Sequence, residues 1–71
     1  MEIQVAIQTE YIKLESALKL ANAVSTGGEA KICIQEGRVK VNGEICEMRG
    51  KKLYPGDTFS FMGAIYRIAA L

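Results

Sequence analysis

Thr26-Gly27-Gly28-Glu29-Ala30-Lys31, then Gly37, Val39-Lys40-Val41-Asn42-Gly43-Glu44, Arg49-Gly50-Lys51-Lys52 and Pro55-Gly56-Asp57: the fold turns on this stretch from Thr26 to Asp57. Thr26 with Glu29 three residues later is a capping box, so a helix starts at about Gly27. Ala30, Cys33 and Ile34 give that helix an apolar stripe, and Gly37 suits the left-handed residue that ends it. Lys31 and Gln35 share its polar face, with Gly28 above them, while Ile32 points away from the stripe. Val39 and Val41 alternate with Arg38 and Lys40, Asn42-Gly43 is the strongest short hairpin-turn signal, and Ile45 returns on the far strand. The stretch predicts one helix entrance and one tight hairpin, both surrounded by positive charge.

Upstream, Ile3, Val5 and Ile7 alternate with Glu2, Gln4 and Gln8, the period of a half-buried strand. Thr9 offers an N-cap for a first helix running to about Ala23. At 100° per residue, Leu14, Ala17, Leu20, Ala21 and Val24 share one face of it, and Glu15, Ser16, Lys19 and Asn22 the other. Lys13 falls on the margin, where its stem packs while its ammonium reaches solvent or a ligand. Downstream, Arg49-Gly50-Lys51-Lys52 reads as a basic loop and Pro55-Gly56-Asp57 as a turn. Phe59 to Phe61 and Ile65-Tyr66-Arg67-Ile68 read as a last strand pair around Met62-Gly63-Ala64. Strand, helix, helix, then strands argues for an α+β fold, not a doubly wound one: two packed helices against a small, mostly antiparallel sheet, with an N-terminal strand and a C-terminal hairpin.

A chain of 71 residues makes a single domain, 1–71, near the size where one core is only just sufficient without disulfides or metals. Its 49% apolar and 24% charged residues are those of a globular protein rather than a disordered tail. No apolar run approaches the roughly 20 residues that span a bilayer, and the N-terminus lacks the pattern of a signal peptide, so a cytoplasmic protein without a membrane partner is expected. Cys33 and Cys46 are expected to be reduced, Cys33 as a small core residue. With no histidine and only two thiols, no metal site is expected.

The net charge of +1 is a weak argument for a polyanion partner, and its distribution says more. Residues 1–36 hold three lysines against five glutamates, whereas residues 37–52 hold Arg38, Lys40, Arg49, Lys51 and Lys52 against Glu44 and Glu47. Such a patch on a nearly neutral protein can bind phosphate without binding everything anionic. Lys31, Arg38 and Lys40 are expected to line one ridge.

Catalysis is not indicated: the commonest general base is absent, as are a nucleophile elbow, a paired-carboxylate site and a Walker loop. No cofactor is implied. Thr26-Gly27-Gly28 lacks the Gly-x-x-x-x-Gly-Lys spacing of nucleotide hydrolases. It can expose unpaired N–H groups to an anion, or merely allow a tight turn between packed helices. Tyr11, Tyr54, Phe59, Phe61 and Tyr66 are mostly spaced as core residues, with no aromatic platform interrupting the basic patch.

Lys13-Leu14-Glu15-x-x-Leu18, Ser25-Thr26-Gly27-Gly28-Glu29-Ala30-Lys31, Ile34-x-x-Gly37-x-Val39-x-Val41-Asn42-Gly43 and Leu53-x-Pro55-Gly56-Asp57 together resemble the S-four domain, the α-L RNA-binding motif. The match covers about residues 11–61 and is closest to the small stand-alone bacterial YaaA/YbcJ-like members. The resemblance implies two helices on a small sheet, with RNA bound across the second helix and the adjoining hairpin-loop surface. By position it assigns RNA contact to Lys13, Lys31, Arg38, Lys40, Arg49, Lys51 and Lys52. Many members carry an arginine after the serine that opens the second helix. Here Thr26, Gly27 and Gly28 occupy that region, leaving backbone amides as the phosphate contact. Lys13 and Glu15 stand where Arg and Asp are common, which keeps the charge but not the bidentate geometry.

The expectation is a non-enzymatic module for structured RNA, ribosomal or transfer, serving assembly or translation by docking on a ribosomal particle. Two rivals stand beside it. One is an adaptor whose patch meets an acidic protein surface. The other is a small sulfur carrier, which the C-terminal Ala69-Ala70-Leu71 excludes because such chemistry needs a flexible Gly-Gly tail.

Overall fold

The computed structural model describes residues 2–71. In chain order it contains β1 (Glu2–Ile7), β2 (Ile12–Lys13), α1 (Leu14–Leu20), α2 (Gly27–Gln35), β3 (Val39–Val41), β4 (Glu44–Ile45), β5 (Lys52–Leu53), β6 (Thr58–Phe61) and β7 (Ala64–Ala70). The architecture is α+β, as expected. Five strands form one sheet in the order β1-β7-β6-β3-β4, and β2 pairs with β5 in a separate two-stranded ribbon. All pairs are antiparallel except β1 with β7, so the N-terminal strand makes the sheet mixed.

Alternation decides which sheet face is covered. Val39, Val41, Phe59, Phe61, Tyr66 and Ile68 are buried, as are Val5 and Ile7 on β1. Against them pack Leu14, Ala17 and Leu18 of α1 and Ala30, Cys33 and Ile34 of α2. Phe59 and Tyr66 are cross-strand partners stacked at 4.8 Å. Fully burying a side chain such as Phe59, Leu14 or Ile34 contributes about 1.5–3 kcal/mol, so this single core sustains the fold. Cys33 sits in it as a free thiol, and Cys46 is also unpaired.

The local signals at α2 act as anticipated. The Glu29 N–H donates to Thr26 Oγ1 at 3.1 Å, and the Glu29 carboxylate accepts from the Ser25 N–H at 2.7 Å, one residue before the cap itself. Gly37 takes φ +74°, and the Gly37 and Arg38 N–H groups donate to the Ile34 and Cys33 carbonyls, a Schellman closure. Asn42 and Gly43, with φ of 51° and 87°, form the turn between β3 and β4.

The first helix departs from expectation at both ends. Thr9 is not its N-cap: the hydroxyl donates to the Tyr11 carbonyl, and α1 begins at Leu14 with Lys13 as the cap residue. Ile12 and Lys13 are drawn instead into pairing with Leu53 and Lys52, so Lys52 belongs to a strand rather than to the basic loop. The helix stops at Leu20 rather than near Ala23 because Asn22 adopts φ 59°. With this start, the i, i+3, i+4 positions toward the core are Leu14, Ala17 and Leu18, and Leu20 is left 55% exposed.

Arg67 donates to the Glu2 carboxylate at 2.5 Å, fastening β7 to β1 and raising the guanidinium above its ordinary pKa. Among the described residues, no helix is long and apolar enough to cross a membrane.

Candidate nucleic-acid interface

An α-helix starts with N–H groups that lack intrahelical partners, and the two helices here treat theirs differently. At α1 the basic loop supplies the acceptors. The Leu14 N–H donates to the Lys51 carbonyl at 2.9 Å and the Glu15 N–H to the Arg49 carbonyl at 3.1 Å. That backbone docking gathers Lys13, Arg49, Lys51 and Lys52 around the start of α1, and the β2–β5 register sets Lys13 directly opposite Lys52. All four side chains are exposed.

At α2 the acceptors are missing. The capping box satisfies Glu29, but the N–H groups of Thr26, Gly27 and Gly28 have no hydrogen-bond partner among the described residues. Packing does not require the glycines. A Cβ on Gly28 would meet only Thr26 Oγ1 at 3.9 Å, one on Gly27 only Lys19 Nζ at 3.8 Å, and neither has a positive φ. The tight-packing explanation for Gly27-Gly28 therefore loses its basis. Lys31, four residues beyond Gly27, lies on the same side of the helix.

Lys19 is exposed, as its place on the polar face of α1 predicts, but it also does something that face does not reveal. Placed by helical periodicity on the solvent face of α1, it brings its ammonium beside Gly27 and adds a cation to the α2 entrance. The crossing of α1 against α2 sets that juxtaposition, so no signal local to Lys19 could have revealed it.

The ridge expected of Lys31, Arg38 and Lys40 is divided. Val39 and Val41 are buried beneath the helices, so Lys40 leaves from the opposite sheet face, beside its register partners Ile45 and Ser60. Arg38 and Lys40 line a shallow groove with Gly37, Ser60 and Gly63 instead. Among the described residues the ion pairs are Arg38 with Glu36, at 3.0 Å, and Arg67 with Glu2. Lys13, Lys19, Lys31, Lys40, Arg49, Lys51 and Lys52 thus carry charges that no described carboxylate neutralises.

The aromatic expectation also needs correction. Phe59, Phe61 and Tyr66 are core residues, but Tyr11 and Tyr54 are not. Their rings lie 5.8 Å apart, Lys52 Nζ sits 4.9 Å from the Tyr11 ring centroid, and Tyr54 is 44% exposed. An aromatic pair therefore does stand within the basic surface. The sequence signal was the shared two-residue spacing of Tyr11 from Lys13 and of Lys52 from Tyr54.

The family model of the S4 domain matches residues 5–69. The "Probable ribosome maturation protein RlbA" of Bacillus subtilis is 44% identical over 59 residues, covering 83% of each chain. The "Putative RNA-binding protein YbcJ" of Escherichia coli is 37% identical over 60 residues, covering 84% of this chain and 86% of its own.

Proposed function

This chain belongs to the S4-domain family, and from that membership together with its unpaired cations we propose that it is a non-enzymatic module that binds structured RNA. Thr26, Gly27 and Gly28 offer backbone N–H groups to one phosphate, aided by the positive end of the α2 dipole. Lys31 extends that site along the helix. Lys13, Arg49, Lys51 and Lys52 form a second phosphate-binding cluster at α1, held in place by the carbonyl contacts of the loop rather than by its side chains. Because those side chains are exposed and none is paired with a described carboxylate, they are available to RNA. Arg38 and Lys40 extend the basic surface past the end of α2, and the exposed Arg38–Glu36 pair is weak enough to open to a phosphate.

Contacts of this kind read the spacing of phosphates, hence RNA shape, rather than base sequence. The ribosome-maturation name of the Bacillus subtilis relative favours ribosomal RNA and an assembly role on a ribosomal particle, the name of the Escherichia coli relative supports RNA in general, and transfer RNA is the other structured candidate. The observation that carries the proposal is six cations without anionic partners among the described residues around two helix starts, Lys13, Arg49, Lys51 and Lys52 at α1 and Lys19 and Lys31 at α2, where three N–H groups stay unbonded. Crosslinking in cells, followed by sequencing of the bound RNA, tests it. Enrichment of ribosomal or transfer RNA over messenger RNA is the expected result. Recovery of acidic proteins without RNA would instead assign the patch to a protein partner.

A further inference from the structure

Alternation along a two-stranded ribbon gives it an inward and an outward face. In β2–β5 the inward positions are Ile12 and Leu53, directly paired, with Leu53 fully buried. The register Ile12 to Leu53 and Lys13 to Lys52 continues one step to Tyr11 opposite Tyr54, consistent with the 5.8 Å between their rings. The outward face therefore carries two tyrosines and two lysines in adjacent cross-strand rows.

Tyr54 is held in place by its backbone. Its N–H donates to the Asp57 carboxylate at 2.8 Å, its carbonyl accepts from the Asp57 N–H at 2.9 Å, and Asp57 is tied in turn to the Asn42 carboxamide. The turn leaves the ring out of this network, and neither the Tyr11 nor the Tyr54 hydroxyl has a partner among the described residues. Tyr54 is thus fixed at its base and 44% exposed, with its ring tilted 47° to that of Tyr11. Residues two apart on one strand are separated by about 7 Å, about one nucleotide, which is the backbone spacing of Lys52 from Tyr54 and of Lys13 from Tyr11, and the Lys52 ammonium reaches across to within 4.9 Å of the Tyr11 ring centroid.

We propose that the outward face of the β2–β5 ribbon is a stacking site for one unpaired base of RNA. Tyr54 receives the base, Tyr11 backs it, and Lys13 and Lys52 take the flanking phosphates. Planar bases stack on aromatic rings without regard to sequence, and the mixture of π-face and ammonium groups suits a nucleotide better than an acidic peptide. The site rests on the RNA-binding reading above and adds to it a single-stranded element beside the structured one.

The test titrates the full chain with two RNA hairpins of identical stem, one carrying a bulged adenosine and one fully paired. The chain has no tryptophan, so its emission comes from three tyrosines, of which Tyr66 is buried. The expected result is tighter binding of the bulged hairpin with quenched tyrosine emission, and weaker quenching by the paired one. Tyr54→Leu keeps an apolar cover but removes the π-face. It should lose about fivefold or more in affinity for the bulged hairpin only, and Tyr54→Phe should retain it. Equal quenching by both hairpins, or a Tyr54→Leu protein that binds the bulged hairpin normally, overturns the stacking site while leaving phosphate recognition in place. Failure of the unmodified chain to bind either hairpin overturns both. The wild-type emission comparison is decisive even if the leucine variant folds poorly.

Discussion

Lys13 and Lys52 stand directly opposite each other across the β2–β5 ribbon, and no described carboxylate is paired with either. Like charges facing each other across a strand pair are unfavourable, by a few tenths to about 1 kcal/mol in this geometry. The Lys52 ammonium, 4.9 Å from the Tyr11 ring centroid, offsets part of that cost, and a phosphate held between the two ammonium groups relieves the rest. Lys52→Glu exchanges the contact with Tyr11 for a cross-strand ion pair with Lys13, so it should leave the melting temperature nearly unchanged and at the same time weaken RNA binding. Thermal unfolding and RNA titration of the same variant check both halves; a drop in melting temperature would show that Lys52 is structural.

The loop at residues 49–51 separates backbone from side-chain roles. The Lys51 and Arg49 carbonyls receive the first N–H groups of α1, and alanine supplies the same carbonyls. Arg49→Ala with Lys51→Ala is thus expected to fold with an unaltered melting temperature, since exposed charges contribute little to stability. Its binding should show a log–log salt slope shallower by about 0.7–0.9 for each phosphate that is no longer neutralised.

Gly28 has room for a side chain, with its nearest foreign atom 3.9 Å from a built Cβ. Gly28→Ala should fold and gain up to about 1 kcal/mol, measurable in denaturant titration, because glycine is a poorer helix residue. Gly28→Asp should also fold, its charge being favoured at a helix start, yet it should impair RNA binding severely by occupying the place of a phosphate. An aspartate variant that binds normally would remove the α2 entrance from the interface.

Asp57 joins two turns: one carboxylate oxygen accepts from the Tyr54 N–H and the other from the Asn42 side-chain amide. Asp57→Ala removes both bonds, and a loss of about 1–3 kcal/mol is expected by chemical denaturation, hydrogen bonds to charged groups being the stronger kind. The same change should release Tyr54 from its fixed base. Its effect on RNA should accordingly fall more heavily on an RNA with an unpaired base than on a fully paired one.

Elements governed by neighbours in sequence were legible. Thr26 and Glu29 cap α2, Gly37 closes it and Asn42-Gly43 turns the hairpin, each by chemistry contained within a few residues. Thr9 misled because capping potential is not pairing potential: Ile12 and Lys13 pair with Leu53 and Lys52, about 40 residues downstream, so the helix begins only at Leu14. The same distant pairing brought Tyr11 to Tyr54, and helix crossing brought Lys19 to Gly27. The parallel partnership of β1 with β7 joins the two ends of the sheet's chain, where alternation marks a strand but cannot name its neighbour. The cations themselves were visible in the sequence; their division between the sheet's outer face and the two helix starts depended on the three-dimensional path.

The most direct measurement is the affinity of the unmodified chain for a structured ribosomal RNA fragment across a range of salt concentrations. If the unpaired cations at α1 and α2 neutralise phosphates, log affinity should fall linearly with log salt. Three to five contacts would give a slope of about −2 to −5. A slope near zero, or an affinity for the RNA no greater than for an acidic protein at matched salt, would contradict RNA recognition by this surface.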